Sequence, residues 1–222
     1  MTGVKHTIKK EFTPYYLTIT VTEWLPIFVN ESLRKIVIDS LNFLIEKKNL
    51  LVFGYCIMNN HIHMIANAES PFLLKDVIRD FKKFTSRKIA KAMAEEPSLM
   101  HINHLSYFKL AGNFHCKSID VKVWKDGNHP IELYSNKFFK QKLNYIHQNP
   151  VKAGYTDKME DWPYSSAVDY SGGTSVLSKV YLLYVVFVAQ DLKSCVTNTQ
   201  KSCATNTRNP CYSLFTLKNL VQ

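Results

Sequence analysis

Polar and apolar residues alternate from Tyr15 to Val21, with Leu17, Ile19 and Val21 on one side and Tyr16, Thr18 and Thr20 on the other. A period of two is that of a half-buried strand. The period then changes. Leu33, Ile36, Val37, Leu41, Leu44 and Ile45 recur at helical spacing, and Asn30 or Ser32 offers an N-cap. Leu50 to Met58 reads as a second strand, Asn59-Asn60 as a tight turn, and His61 to Asn67 as a third strand that closes a hairpin. Pro71 is expected to open a second helix that runs to about Met93, with Leu74, Val77, Ile78, Phe81 and Phe84 as its buried stripe. Residues 95–120 show no clear period and read as an insertion or long loop. Asp120 to Trp124, with Ile131 to Tyr134, offers the last strand region. Ser135 or Asn136 caps a third helix, expected to end near Asn149 because Pro150 disfavours helical backbone in the residue before it.

The order strand, helix, strand, strand, helix, strand makes two split β-α-β units. This predicts an α+β fold of ferredoxin-like type, an antiparallel sheet with helices on one face, plus an added helix. Residues 1–170 are expected to form one domain and residues 171–222 a C-terminal extension of partly low complexity. Lys193 to Thr199 nearly repeats as Lys201 to Thr207, an eight-residue period with little apolar content. Two copies are too few for a solenoid, and disorder is the expectation there.

Composition changes this picture little, and charge changes it more. Of 222 residues, 46% are hydrophobic and 13% aromatic, which fits a folded chain. Lys and Arg outnumber Asp and Glu by 28 to 18, and a net charge of +10 favours a polyanionic partner, nucleic acid before an anionic membrane. The five cysteines include no CxxC pair and read as reduced thiols of a cytoplasmic protein. The polar start of the chain does not read as a signal peptide, and its longest apolar run, Val180 to Ala189, is too short to span a bilayer.

Two stretches carry the candidate chemistry. The first is Tyr55-Cys56-Ile57-Met58-Asn59-Asn60-His61-Ile62-His63-Met64. Strand alternation puts His61 and His63 on one face, where two imidazoles can hold a divalent metal, and Ile62 and Met64 on the other. Two ordinary polar residues on a half-exposed face would look the same. The second stretch, Asn144-Tyr145-Ile146-His147-Gln148-Asn149-Pro150-Val151-Lys152-Ala153-Gly154, is helical in character. Tyr145 and Asn149 lie four apart on one helical face, so Asn149 is a candidate third ligand while Tyr145 points at a substrate. His147 and Gln148 are rival ligands, since Pro150 can distort that turn. Alone, Tyr145 reads as a core-edge tyrosine of an amphipathic helix.

Together the pair resembles the His-hydrophobic-His and tyrosine-helix motifs of the single-tyrosine transposases of the IS200 type. The run Tyr145 to Gly154, with Asp161-Trp162-Pro163-Tyr164-Ser165-Ser166 downstream, is most similar to the subgroup of REP-associated tyrosine transposases. The likeness spans roughly residues 10–170. One departure is Asn59, where the family often has proline. The resemblance implies a DNA transposase that cleaves and rejoins single-stranded, hairpin-forming DNA through a 5′-phosphotyrosine intermediate. Tyr145 would be the nucleophile, His61, His63 and Asn149 the metal ligands, Mg²⁺ or Mn²⁺ the cofactor, and a homodimer a possible assembly. Two rival readings share the same features. One is a binding module for single-stranded nucleic acid that has lost catalysis; the other is a hydrolytic metal-dependent nuclease.

The second helix carries seven cations between Lys75 and Lys91 against Asp76 and Asp80. Arg79, Lys82, Lys83 and Arg87 are therefore candidate contacts to DNA phosphate, and so is Lys152 beyond the tyrosine. The same pattern describes a solvated helix face. Trp124, Trp162 and Tyr164 are assigned to the core, and His101, His104, His115 and His129 to non-ligand positions.

Overall fold

The computed structural model describes residues 8, 13–115 and 121–182. All of them belong to one compact unit, Met1–Leu183. The two tail repeats lie outside the described residues.

Strand β1 (Tyr15–Thr20) leads to helix α1 (Glu31–Lys47), then β2 (Leu50–Ile57) and β3 (His61–Ala68). Helix α2 (Leu74–Glu95), α3 (Leu99–His115), a short β4 (Ile131–Glu132), α4 (Asn136–Lys152) and a one-turn α5 (Ala167–Tyr170) follow. The strands form one antiparallel sheet in the order β2-β3-β1-β4. This is the expected ferredoxin-like arrangement.

Alternation decides what each face buries. Leu17, Ile19, Ile62 and Met64 pack with Leu33, Val37 and Leu41 of α1 and with Val77, Ile78 and Phe81 of α2 in one apolar core. Asn30 caps α1 by accepting a hydrogen bond from the Leu33 amide at 3.1 Å. The opposite sheet face carries Tyr16, Thr18, His61 and His63, and α4 lies across it. Gly54 of β2 makes that crossing possible, because a Cβ there would sit 2.4 Å from Leu143 Cδ1. Phe53 meets Phe139 of α4 edge to face, with ring centroids 6.2 Å apart.

Four elements differ from the sequence reading, each for a physical reason. Helix α2 starts at Leu74, three residues after Pro71, which follows a cis bond in the preceding turn. Its stripe is completed by Thr85, Ile89 and Met93, whereas Phe84 is half-exposed under the Lys88 ammonium. Residues 95–120 are not simply a loop. Helix α3 occupies Leu99–His115, with Ser98 Oγ accepting from the His101 amide at 3.1 Å. It buries Phe108 while exposing Leu99, Met100, Ile102, Tyr107 and Leu110, so no one-sided stripe marks it in sequence.

The expected last strand is reduced to Ile131–Glu132, which pairs with Tyr15 and Tyr16, while Trp124 makes only an isolated bridge to Val21. Finally, α4 does not stop at Asn149 but continues through Pro150 to Lys152. Proline removes one amide donor, but its buried ring packs inward and Ala153 donates to the Asn149 carbonyl at 2.9 Å. Gly154, at φ 70°, then ends the helix on left-handed backbone.

The run Asp161 to Ser166 covers the free edge of β2. Ile57 donates to the Tyr164 carbonyl at 2.9 Å and Ser166 to that of Tyr55 at 3.0 Å. An edge so covered cannot template pairing with another chain. Beyond α5, Tyr181 donates to the Val52 carbonyl at 2.8 Å, and Leu177 is buried. Among the described residues no helix is long and apolar enough to cross a membrane.

Candidate active site

Antiparallel register places Thr18 opposite His63 and Thr20 opposite His61, on the face that α4 crosses. The two imidazoles converge: His61 Nε2 and His63 Nε2 are 3.1 Å apart. A chain of hydrogen bonds fixes their tautomers. The Asn60 amide oxygen lies 2.6 Å from His61 Nδ1, so that nitrogen carries the proton and His61 Nε2 presents a lone pair. His63 Nε2–H then donates to it, and His63 Nδ1 accepts from the Tyr16 hydroxyl at 2.8 Å, with Thr18 Oγ1 at 3.2 Å.

Burial holds both rings neutral. It lowers His61 to about 4, and His63 to about 3 with help from the nearby charges of His61 and Lys142. Neutral imidazole is the form that binds metal.

Helix α4 brings Tyr145 to this pair. Its ring meets His63 edge to face at a centroid distance of 5.5 Å, and it meets Tyr16 at 6.2 Å. Tyr145 is 41% exposed, whereas Tyr16 is buried and its phenol is pushed up to about 12 by burial. Of the two phenols beside His63, only Tyr145 opens to solvent. Lys142 and Lys152 flank it, with their Nζ atoms 5.9 and 5.5 Å from the ring centre.

The donor set fits a divalent cation. Two ligand nitrogens ~2.1 Å from one ion and about 90° apart lie roughly 3 Å from each other, the separation His61 and His63 have. A cation taking both lone pairs requires the His63 proton on Nδ1, where the Tyr16 and Thr18 oxygens accept it. Among the described residues no group of three or more His, Cys, Asp or Glu comes together, so a third ligand from among them would be of another type.

The rivals for that place are engaged elsewhere. His147 Nε2 lies 2.9 Å from Ser166 Oγ in the interior, and the Gln148 amide nitrogen turns to Met159 Sδ at 3.9 Å. Asn149 donates its amide nitrogen to the Tyr145 carbonyl at 2.7 Å and keeps its oxygen as an acceptor.

The candidate phosphate contacts separate. Lys152 stands beside Tyr145. The cations of α2 belong to the layer on the other sheet face. There Lys83 and Arg87 are exposed, and Arg79 is tied to Asp76 at 2.6 Å and Asp80 at 3.0 Å. Lys82 is a structural residue, donating to the carbonyls of Lys125 at 2.6 Å and Gly127 at 3.0 Å and to Asn128 Oδ1 at 3.1 Å. Burial, aided by Lys122 and opposed by Asp126, brings Lys82 down to about 8. Lys82→Met is expected to lower stability by about 1–3 kcal/mol, because three acceptors lose their donor. Lys83→Met should stay within about 0.5 kcal/mol. Urea midpoints compare the two.

Tyr16, Thr18, Asn60 and Lys142 were not singled out by the sequence reading. Strand alternation had put Tyr16 and Thr18 on one face of β1, and Lys142 lies three residues before Tyr145 on its helix. Only the strand register and the position of α4 show which neighbours they meet. Trp124 is core as expected, with its indole donating to Thr85 Oγ1 at 2.8 Å. Trp162 is half-buried and donates to the Ile57 carbonyl at 3.1 Å, and Arg34 stacks on Tyr164 at 3.9 Å.

The buried histidines predict a pH response. His61 and His147 are lowered to about 4 and His63 to about 3, from an ordinary 6.5. Between those values the unfolded chain binds more protons than the folded one, so stability falls as pH drops below about 6.5. The urea midpoint at pH 4.5 is expected to lie clearly below that at pH 7. His147→Gln should reduce the difference.

Residues 13–111 match the family model described as "Transposase IS200 like". The fold is similar to a solved REP-associated tyrosine transposase bound to a REP hairpin, at a TM-score of 0.53 and 14% identity over 81% of this chain and 93% of that one. A putative transposase from Deinococcus radiodurans aligns at 15% identity over 67% of this chain and 97% of that one, with a TM-score of only 0.38. No curated protein sequence matches the chain.

Proposed function

We propose that this protein, whose residues 13–111 match the IS200-like transposase model, cleaves and rejoins single-stranded DNA through a covalent bond to Tyr145. The observation that carries the reading is the contact of Tyr145 with His63, 5.5 Å between ring centres, on the face where His61 and His63 converge. A tyrosine so placed is superfluous for hydrolysis, where water suffices; strand transfer needs it, because the phosphotyrosyl ester keeps the bond energy for religation.

A divalent cation, Mg²⁺ or Mn²⁺, held by His61, His63 and Asn149, would withdraw charge from the scissile phosphorus. The remaining work falls to the chain itself. Lys142 and Lys152 draw the phosphate toward the exposed edge of Tyr145. The Tyr145 oxygen attacks phosphorus and its proton leaves to solvent. The bond from phosphorus to the 3′-oxygen breaks, and that oxygen takes up a proton as a free 3′-hydroxyl. A second 3′-hydroxyl reverses the step and joins strands. Tyr16 and Thr18 keep the His63 ring in one orientation throughout. In this reading the two imidazoles and the phenol of one chain act together, which the Tyr145–His63 contact supports.

The DNA is proposed to be hairpin-bearing, since the similar solved transposase is described with a hairpin bound. The test is incubation of labelled hairpin DNA with single-stranded arms and Mn²⁺, followed by a denaturing gel. A protein–DNA adduct is expected. Cleavage without an adduct would favour the hydrolytic nuclease, and binding without cleavage the inactive module.

A further inference from the structure

A single exposed tryptophan needs no explanation, but one held on left-handed backbone does. Trp24 is 53% exposed, and both it and Glu23 have positive φ, 57° and 53°. Bulky side chains avoid that region, so the surrounding structure must impose it. The clamps are visible. Thr22 donates to the Val123 carbonyl at 2.8 Å, Lys125 to that of Thr20 at 2.8 Å, and Trp24 to that of Val21 at 3.0 Å. Asn60 closes the set by donating its amide nitrogen to the Trp24 carbonyl at 3.1 Å, while its amide oxygen holds His61. One side chain thus sets both a candidate metal ligand and the tryptophan turn.

The clamped turn presents the indole beside the site. Its ring lies edge to face with His61 at 5.9 Å, and the Lys125 ammonium sits 5.2 Å from the ring centre. The other two tryptophans spend their indole donors inside the protein, on Thr85 and on the Ile57 carbonyl. A half-exposed indole with an ammonium over its ring and a candidate metal ligand packed edge to face with it matches one nucleotide: base on the indole surface left exposed, phosphate on the ammonium.

We infer that Trp24 is the stacking platform for a nucleobase of the single-stranded segment flanking the scissile phosphate, with Lys125 taking the adjacent phosphate. This rests on the strand-cleavage reading above for the position of that phosphate. Stacking is tolerant of base identity, so Trp24 fixes where the strand lies rather than which base it carries.

A double-mutant cycle between protein and DNA tests the inference. The probe is a DNA hairpin with oligothymidine arms, in which one abasic site is walked along each arm. Affinity is measured by anisotropy with Mn²⁺ in a Tyr145→Phe background, so that cleavage does not intrude. Trp24→Ala is expected to weaken binding of the intact probe about tenfold. One abasic position should weaken binding to the Trp24 protein by a similar factor and leave Trp24→Ala binding unchanged. The intact probe should also quench intrinsic fluorescence, and that quenching should be lost in Trp24→Phe. Equal abasic penalties in both proteins at every position, quenching that persists in Trp24→Phe, or no binding of the probe would overturn the inference. Loss of the strand-transfer reading would show separately, as absence of an adduct in the wild-type chain, and would leave the cycle readable.

Discussion

Tyr145→Phe is expected to eliminate the covalent protein–DNA adduct and to lower strand cleavage by about 10⁴-fold or more, the scale seen when a nucleophile is removed. The substitution deletes one oxygen and keeps the ring. Contacts of that ring with His63, Tyr16, Lys142 and Lys152 therefore survive. Tyr145 is 41% exposed, so no buried donor is orphaned and the urea midpoint should not move. A chain that folds, binds hairpin DNA and forms no adduct would locate the defect in chemistry. Tyr16→Phe provides the contrast. It removes a buried hydroxyl 2.8 Å from His63 Nδ1, costs about 1 kcal/mol of stability, and should leave adduct formation detectable.

The second large effect is expected at the histidine pair. With His61→Ala or His63→Ala, one of two convergent lone pairs is lost, and the remaining imidazole cannot chelate. Mn²⁺ affinity, followed by the electron paramagnetic resonance signal of the free ion, should fall at least about tenfold, the lower end of what weaker perturbations of metal sites cause. Adduct formation should drop below detection in both variants. Stability separates them. His63→Ala leaves the buried Tyr16 hydroxyl without its acceptor at 2.8 Å and is expected to cost about 1–3 kcal/mol. His61, at the turn and in contact with Asn60, should cost less. Unchanged Mn²⁺ binding in both would remove the pair from the metal site, whatever the activity.

Much of the fold was legible because its signals are local. The alternation of β1, the helical stripe of α1 and the hairpin around Asn59-Asn60 each lie within a few residues, and all three formed as the pattern implies. What failed were features decided by distant partners. Helix α3 exposes five large apolar residues and shows no stripe, so its periodicity could not be seen. Pro150 stayed helical because its ring found burial, which a rule about the preceding residue cannot anticipate.

The candidate site divides in the same way. His61 and His63 share a face by alternation alone, and Tyr145 and Asn149 by helical spacing. That α4 crosses the histidine face depends on Gly54 admitting Leu143, a contact between positions 89 apart in the chain. Lys82 shows the opposite case. A lysine in a basic stripe looks like a phosphate contact, yet three oxygens of the 125–128 loop claim its ammonium. Trp24 was passed over because nothing in the sequence around it announces left-handed backbone.

The central claim is that Tyr145, and not its neighbour Tyr16, attacks the phosphate. The most direct measurement is tandem mass spectrometry of the adduct formed with hairpin DNA and Mn²⁺, after nuclease and protease digestion. The expected product is a 5′-phosphonucleotide on the peptide containing Tyr145. A nucleotide on Tyr16, or cleaved DNA with every tyrosine unmodified, would contradict it.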